Sequence, residues 1–332
     1  MTLMTKILGA AATLALSATV SVAEPAVIYD LGGKFDKSFN ESAFNGAQRW
    51  ADETGGTFRD IELQSEAQRE QAIRRFAEAG FNPVVTTGFA MSSALGTVAA
   101  DFPDTTFVTI DGYVPDAPNV LIVSFAEHEG SYLVGMMAAM ASESNTVSFI
   151  GGMDIPLIRR FACGYAQGAK AVSGDINVVS NMTGTTPTAW NDPVKGSELT
   201  RAQIAQGSDV VYAAAGGTGI GVLQTAADEG ILSIGVDSNQ NPMHPGKVLT
   251  SMLKRVDNAV YAVLSAGDDA KGGFQSLSLA DGGVDFAMDE NNASLVSAEM
   301  QTAVEAAKAQ IIAGELSVHN YTDDDSCPAL NF

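Results

Sequence analysis

Short apolar, β-rich runs alternate with amphipathic stretches along most of the chain. The first series of runs falls at 26–31, 58–63, 83–87, 106–111 and 120–125, with helical spacing between most of them. Residues 66–79 carry the clearest helical pattern: Ala72, Ile73, Phe76 and Ala77 share a face that Glu66, Arg69, Glu70 and Arg74 mostly avoid. Gly80 supplies the stop signal. The series then restarts, with strands predicted at 147–151, 176–181, 210–215 and 232–237 and helices over about 157–172, 193–206 and 217–228. A strand at 248–253, a helix over about 256–266, a Gly-rich strand-like region and an amphipathic helix over about 298–313 complete the pattern. Strands alternating with helices of this size predict parallel sheets built from right-handed βαβ units. The restart, with no Pro/Ser-rich linker, predicts two doubly wound α/β sheets in one compact two-lobed chain.

One apolar run does not belong to this pattern. Residues 7–22 are rich in Ala and Leu, Lys6 precedes them, and Ser21-Val22-Ala23 offers the small residues of a cleavage site. Residues 1–23 are therefore expected to be a signal peptide, cut after Ala23. No Cys follows the run, so a diacyl anchor is not expected, and no later stretch is long and apolar enough to span a bilayer.

The 332 residues suit two domains. A net charge of −21 repels phosphate backbones, which excludes nucleic acid as a partner. The two cysteines, Cys163 and Cys327, leave both a disulfide and a buried free thiol open. Neither cofactor nor metal is expected: the three histidines are scattered, and no H-E-x-x-H, no G-x-S-x-G and no intact dinucleotide loop is present.

Ligands of open α/β sheets bind where loops leave the carboxyl ends of strands, and two facing lobes bring both sets of loops into one cleft. The first such loop, Gly32-Gly33-Lys34-Phe35-Asp36-Lys37-Ser38-Phe39-Asn40-Glu41, opens a helix, with Ser38 and Glu41 spaced as a capping box. Phe35 stands in a polar turn with no core periodicity to account for it. In the second series, Asp192-Pro193 reads as N-cap and N1, which leaves Trp190 at a loop tip. Phe35 and Trp190, one per lobe, would clamp a flat ring. Trp50 occupies a helical core position with Ala43 and Ala47. Asp111, Asp237 and Lys254 each end a strand, and Gly216-Gly217 opens a loop whose bare amides can approach a ligand.

Together these segments resemble the basic membrane protein family of substrate-binding proteins, which includes purine nucleoside receptors. The resemblance rests on Phe35-Asp36-Lys37-Ser38-Phe39-Asn40, Phe125-Ala126-Glu127-His128-Glu129-Gly130-Ser131-Tyr132-Leu133-Val134-Gly135, and Ile150-Gly151-Gly152-Met153 with Pro156. Trp190-Asn191-Asp192-Pro193, Ala215-Gly216-Gly217-Thr218-Gly219-Ile220-Gly221, Gly235-Val236-Asp237 and Lys254-Arg255-Val256-Asp257 continue it in family order. It implies a type I periplasmic-binding fold with a multi-crossover hinge, an ABC importer as partner, and a purine nucleoside held between the lobes. The lobes are expected at 24–128 plus about 249–272, and at 129–248 plus about 273–332. The resemblance puts the base between Phe35 and Trp190, where Trp stands for a common Phe. It gives the base edge to Asp36, Asn40 and Asp111, the ribose to Asp237 and Lys254, and places Ser38 and the Gly216-Gly217 loop alongside. With no lipid-modifiable Cys it suggests a non-lipidated, monomeric periplasmic protein without a stable membrane anchor. A sugar or another small polar solute is the alternative ligand, and a nucleoside-processing enzyme a more distant alternative.

Overall fold

The computed structural model describes residues 23–332, so the expected signal peptide lies outside it except for Ala23. The first half of the chain runs β1 (Ala26–Tyr29), α1 (Phe39–Thr54), β2 (Arg59–Glu62), α2 (Arg69–Glu78), β3 (Val84–Thr87), α3 (Ser92–Ala99), β4 (Phe107–Ile110) and β5 (Val120–Phe125). The second series runs α4 (Glu127–Ala141), β6 (Thr146–Met153), α5 (Pro156–Val172), β7 (Asn177–Gly184), α6 (Pro193–Ile204), β8 (Val210–Ala214), α7 (Thr218–Glu229), β9 (Leu232–Asp237) and β10 (Val248–Lys254). The remainder is α8 (Val256–Ala266), β11 (Gly273–Leu277), β12 (Val284–Phe286) and α9 (Ala298–Ile312).

Two six-stranded sheets result, in the orders β11-β5-β4-β3-β1-β2 and β12-β10-β9-β8-β6-β7. Every pairing is parallel except β12 on β10. The central strands β1, β3, β4 and β8 are buried at every position, as strands covered by helices on both faces must be. Each sheet with its helices forms one lobe.

The chain passes between lobes at Ala126, at Arg255 and between β11 and β12, which corrects the expected boundaries. Residues 248–254 pair with β9 and β12 in the second lobe, and only α8 beyond them returns to the first, against α1. Close approach of those helices needs Gly46, where a Cβ would sit 2.2 Å from the Asp257 carbonyl oxygen. Residues 273–277, assigned above to the second lobe, instead add a parallel edge strand to β5 in the first. The apolar pattern is the same for a strand in either sheet; pairing register alone decides which it joins.

Local chemistry differs from expectation at the start of α1. Ser38 does not cap the helix. The Asp36 carboxylate takes that role, accepting from the backbone N–H groups of Ser38 (2.8 Å), Asn40 (3.0 Å) and Glu41 (3.1 Å). Glu41 turns instead to the N–H and ammonium of Lys37. The Ser38 hydroxyl is thereby released for a contact with the other lobe. Asp192 does cap α6, accepting from Lys195 N–H. Trp50 is partly buried against the core rather than enclosed. Cys163 on α5 pairs with Cys327, with Cα atoms 5.7 Å apart, and ties the C-terminal tail to the second lobe.

α4 and α5 pack backbone to backbone. A Cβ at Gly135, Gly164 or Gly168 would lie 2.1, 2.3 or 1.9 Å from a carbonyl oxygen of the facing helix. The family-like segment around Gly130 and Gly135 thus serves packing. It fixes α5, whose first turns wall the cleft.

Candidate functional site

The cleft between the lobes encloses about 780 Å³ of empty space, part of it open to solvent. Its walls come from the carboxyl ends of β1, β3 and β4 in the first lobe and β6, β8, β9 and β10 in the second, as the strand-end rule requires. The first lobe contributes Asp30, Asp36, Phe39, Asn40, Phe89 and Asp111; the second contributes Ile158, Phe161, Trp190, Gly216, Asp237 and Lys254.

Three features organise this space. Trp190 lies against Gly152, where a Cβ would be 2.1 Å from its ring, and a Cβ on Gly216 would come within 3.8 Å of it. Asp111 and Asp237 both take left-handed backbone conformations, with φ of 63° each. Asp tolerates that region better than most residues, and such strain gathers at ligand sites. Lys254, 2% exposed, places its ammonium against Asp111 and 2.8 Å from Glu127. The second carboxylate oxygen of Asp111, Oδ1, is buried without a hydrogen-bond partner among the described residues.

Burial dominates the electrostatics. It pushes the Asp36 carboxyl up to about 6 despite three backbone N–H donors. Asp237 is pushed up to about 6 by burial, against the opposing pull of Lys254 and Ser38. Asp111 is raised for the same first reason, with Lys254 opposing. For Lys254, burial works against the charge, but Asp111, Glu127 and Asp237 outweigh it and raise its pKa.

The lobes also touch directly. Ser38 Oγ donates to Asp237, Ser238 Oγ donates to the Ser38 carbonyl (3.1 Å) and Gln240 Nε2 to the Lys37 carbonyl (2.9 Å).

A family model described as PnrA-like ABC transporter substrate-binding proteins, the Bmp family, matches residues 23–321. The chain belongs to this family. An ABC transporter nucleoside-binding protein of Lactococcus lactis is 33% identical over 320 residues, covering 88% of each chain. An ABC transporter solute-binding protein from Aeropyrum pernix superposes with a TM-score of 0.83 at 27% identity, over 91% of this chain and 95% of that one. The periplasmic-binding fold of two α/β lobes is thereby shown, and the matched relatives are solute-binding proteins rather than enzymes. As a Bmp-family substrate-binding protein, the chain takes a small-molecule ligand and works with a transporter permease.

The expected location does not stand. An uncharacterized lipoprotein of Pyrococcus furiosus is 32% identical over 281 residues, 79% of this chain and 69% of its own. Basic membrane protein A of Borreliella afzelii is 27% identical over 308 residues, 89% of this chain and 91% of its own. Relatives named as lipoproteins and membrane proteins overturn the expectation of a non-lipidated periplasmic protein. That expectation leaned on one absent Cys in a segment outside the described residues.

Among the residues singled out from this Bmp-family sequence, Asp36, Asn40, Asp111, Trp190, Gly216, Asp237 and Lys254 meet at the cleft. Phe35, Ser38 and Gly217 do not line it. Phe35 is 61% exposed and rests edge-on against Phe44, ring centroids 5.4 Å apart, so no Phe35–Trp190 clamp forms here. Phe39, the first residue of α1, lines the cleft instead. Ser38 spends its hydroxyl on Asp237, and Gly217 packs under the Trp190 carbonyl. The amide of Asn40 is committed as well: Nδ2 donates to the Asp30 and Gly33 carbonyls, and Oδ1 accepts from Thr87.

Asp30, Phe89 and the apolar wall from Met153 to Phe161 escaped the sequence reading. Asp30 follows β1 directly and Phe89 stands one residue further past the end of β3, so the strand-end rule applied to Asp111 would have found them. The wall on α5 carries no such signal, because its apolar spacing is that of any core helix.

Proposed function

We propose that this protein binds a purine nucleoside in the cleft and presents the closed, loaded form to an ABC importer. The observation that carries the reading is the division of the cleft. Trp190, Phe161, Ile158 and Phe39 make an apolar, aromatic side suited to a flat base. Asp111, Asp237 and Lys254 make a charged end suited to vicinal hydroxyls. A sugar would fill the second half and leave the first facing hydroxyls, which disfavours it. The name of the Lactococcus lactis relative points the same way. Phe35 contributes stacking only if its loop moves, so the aromatic contacts fall first to Trp190 and the inward-facing phenyl rings.

Two-lobed proteins of this fold work by hinge closure around a ligand. Mass spectrometry of solute carried through native purification is expected to return a purine nucleoside. Calorimetry with inosine and with 2′,3′-dideoxyinosine is expected to give at least about tenfold weaker binding for the latter, because carboxylates left unpaired reject an analogue lacking its hydroxyls. No free base is expected to accumulate during the titration, and sustained turnover would overturn the binding reading. Equal affinities, or a sugar as the co-purified solute, would overturn the nucleoside reading.

The carboxylates also set a pH dependence. Their raised pKa values mean that the folded protein holds these protons more tightly than the unfolded chain. The associated stability is present below the ordinary carboxylate range and lost as pH rises through about 6. Binding runs the other way, since ribose hydroxyls donate to ionised oxygens. Between pH 7 and 5 affinity is expected to fall, up to about tenfold for each carboxylate that must ionise. Calorimetry across that window checks this, and a flat profile would remove Asp237 as an ionised acceptor.

A further inference from the structure

Glu127 has no part in the cleft wall, yet it is the most enclosed charged residue beside it, at 0% exposure. Its carboxylate lies 2.8 Å from the Lys254 ammonium and 3.0 Å from Nε of Arg160, itself 9% exposed; these are ion-pair contacts, and both carboxylate oxygens are without a hydrogen bond among the described residues. Isolated buried carboxylates are costly and persist only when paired, which this one is on both sides. Its place in the chain matters more. Glu127 begins α4 immediately after the first interlobe passage, and Lys254 ends β10 immediately before the second. The one ion pair therefore joins the second-lobe ends of two of the three hinge passages.

Around the ammonium, the rings of Phe39, Phe125 and Phe161 stand 5.0–5.4 Å away and offer no hydrogen-bond acceptor. Its charged partners are Asp111 and Glu127. These two are not equivalent. Asp111 belongs to the first lobe, at the end of β4, so a hinge opening would carry it away from Lys254. Glu127, Arg160 and Lys254 all sit on second-lobe elements and stay together.

We propose that Glu127, held by Arg160, is a positioning residue that keeps the Lys254 ammonium aimed into the cleft while Asp111 is withdrawn. Closure then brings Asp111 and the ligand to a cation already in place, with no reorientation at the moment of binding. This deepens the nucleoside reading and rests on it for the identity of the ligand, though not for the geometry of the cation.

The test uses the full chain, with inosine and guanosine as probes, and Glu127→Gln, which keeps the shape and removes the charge. Nucleoside affinity is expected to weaken at least about tenfold, in the range of coupled neighbouring charges. Acetylation of Lys254 by acetic anhydride, followed by peptide mass spectrometry and normalised to the more exposed Lys37 and Lys195, is expected to accelerate at least about tenfold, because the amine loses the partner that holds it protonated and shielded. A purely structural role lowers thermal stability without changing the relative reactivity of Lys254. Unchanged Lys254 labelling therefore overturns the proposal whatever the affinity does. Should Glu127→Gln fail to fold, Glu127→Asp, which keeps the charge but draws it back by one methylene, carries the same readouts, with smaller factors in the same direction, and unmoved labelling is again fatal. If the wild-type protein binds neither nucleoside, the nucleoside reading falls and the labelling alone decides whether Glu127 positions Lys254.

Discussion

Replacing Lys254 by Met is expected to weaken purine nucleoside binding by about a hundredfold or more, the largest effect of any single change at the cleft. Met keeps the unbranched apolar stem of the side chain and removes the ammonium, with both its charge and its hydrogen bond to Asp111. What remains is Asp111, Glu127 and Asp237, buried carboxylates that Lys254 holds in balance. Removing one partner of a buried ion pair costs about 3–5 kcal/mol, mostly as an uncompensated charge left behind. Part of that falls on folding, and the rest on closure, since closing the lobes brings Asp111 of the first lobe toward Asp237 of the second without a cation between them. Circular dichroism melting separates the two contributions from the calorimetric Kd. A variant that melts like the wild type and binds within threefold of it would show that Lys254 is not at the ligand.

Trp190→Ala is expected to weaken binding about ten- to a hundredfold, the range of one lost stacking partner, roughly 1–3 kcal/mol. Phe35→Ala is expected to stay within about twofold. The contrast follows from position: Trp190 is half-buried and lines the cleft, whereas Phe35 is exposed against Phe44 and Lys34. Calorimetry on the two variants decides the matter, and Trp190 fluorescence in the Phe35 variant provides an independent signal. If Phe35→Ala costs as much as Trp190→Ala, the loop from Gly32 to Ser38 must swing Phe35 over the bound base, and the inward-facing role given to Phe39 would be wrong.

These two predictions mark where sequence reading succeeds and where it stops. Positions defined by the end of a strand were legible: Asp111, Asp237 and Lys254 each follow an unambiguous apolar run, and all three reach the cleft. Asp192-Pro193 does start a helix, but Trp190 reaches the cleft from a short 3₁₀ turn, Pro187–Trp190, and not from an open loop tip. Phe35 stands outside the cleft wall in this structure, packed on Phe44. Both Asp36 and Ser38 can cap a helix, and it is Phe39, not Phe35, that lines the cleft beside the cap. Asp36 wins because its two carboxylate oxygens serve three N–H groups, where a hydroxyl would serve one. Asn40 reaches the cleft, and both Nδ2 donors and one acceptor site of Oδ1 brace the loop in this structure.

By itself, the order of apolar runs and helical spacings determined that this chain builds two parallel α/β sheets, because strand and helix periodicities are properties of neighbouring residues. Seven segments in order likewise identified its family. Only the tertiary structure decided that β10 stays in the second lobe while β11 returns to the first, that Cys163 meets Cys327, and that Glu127 stands behind Lys254. Each of those joins residues more than a hundred positions apart or assigns a strand to one of two equivalent edges. Such contacts depend on pairing register and closure of the whole fold, and no local pattern of polar and apolar residues encodes them.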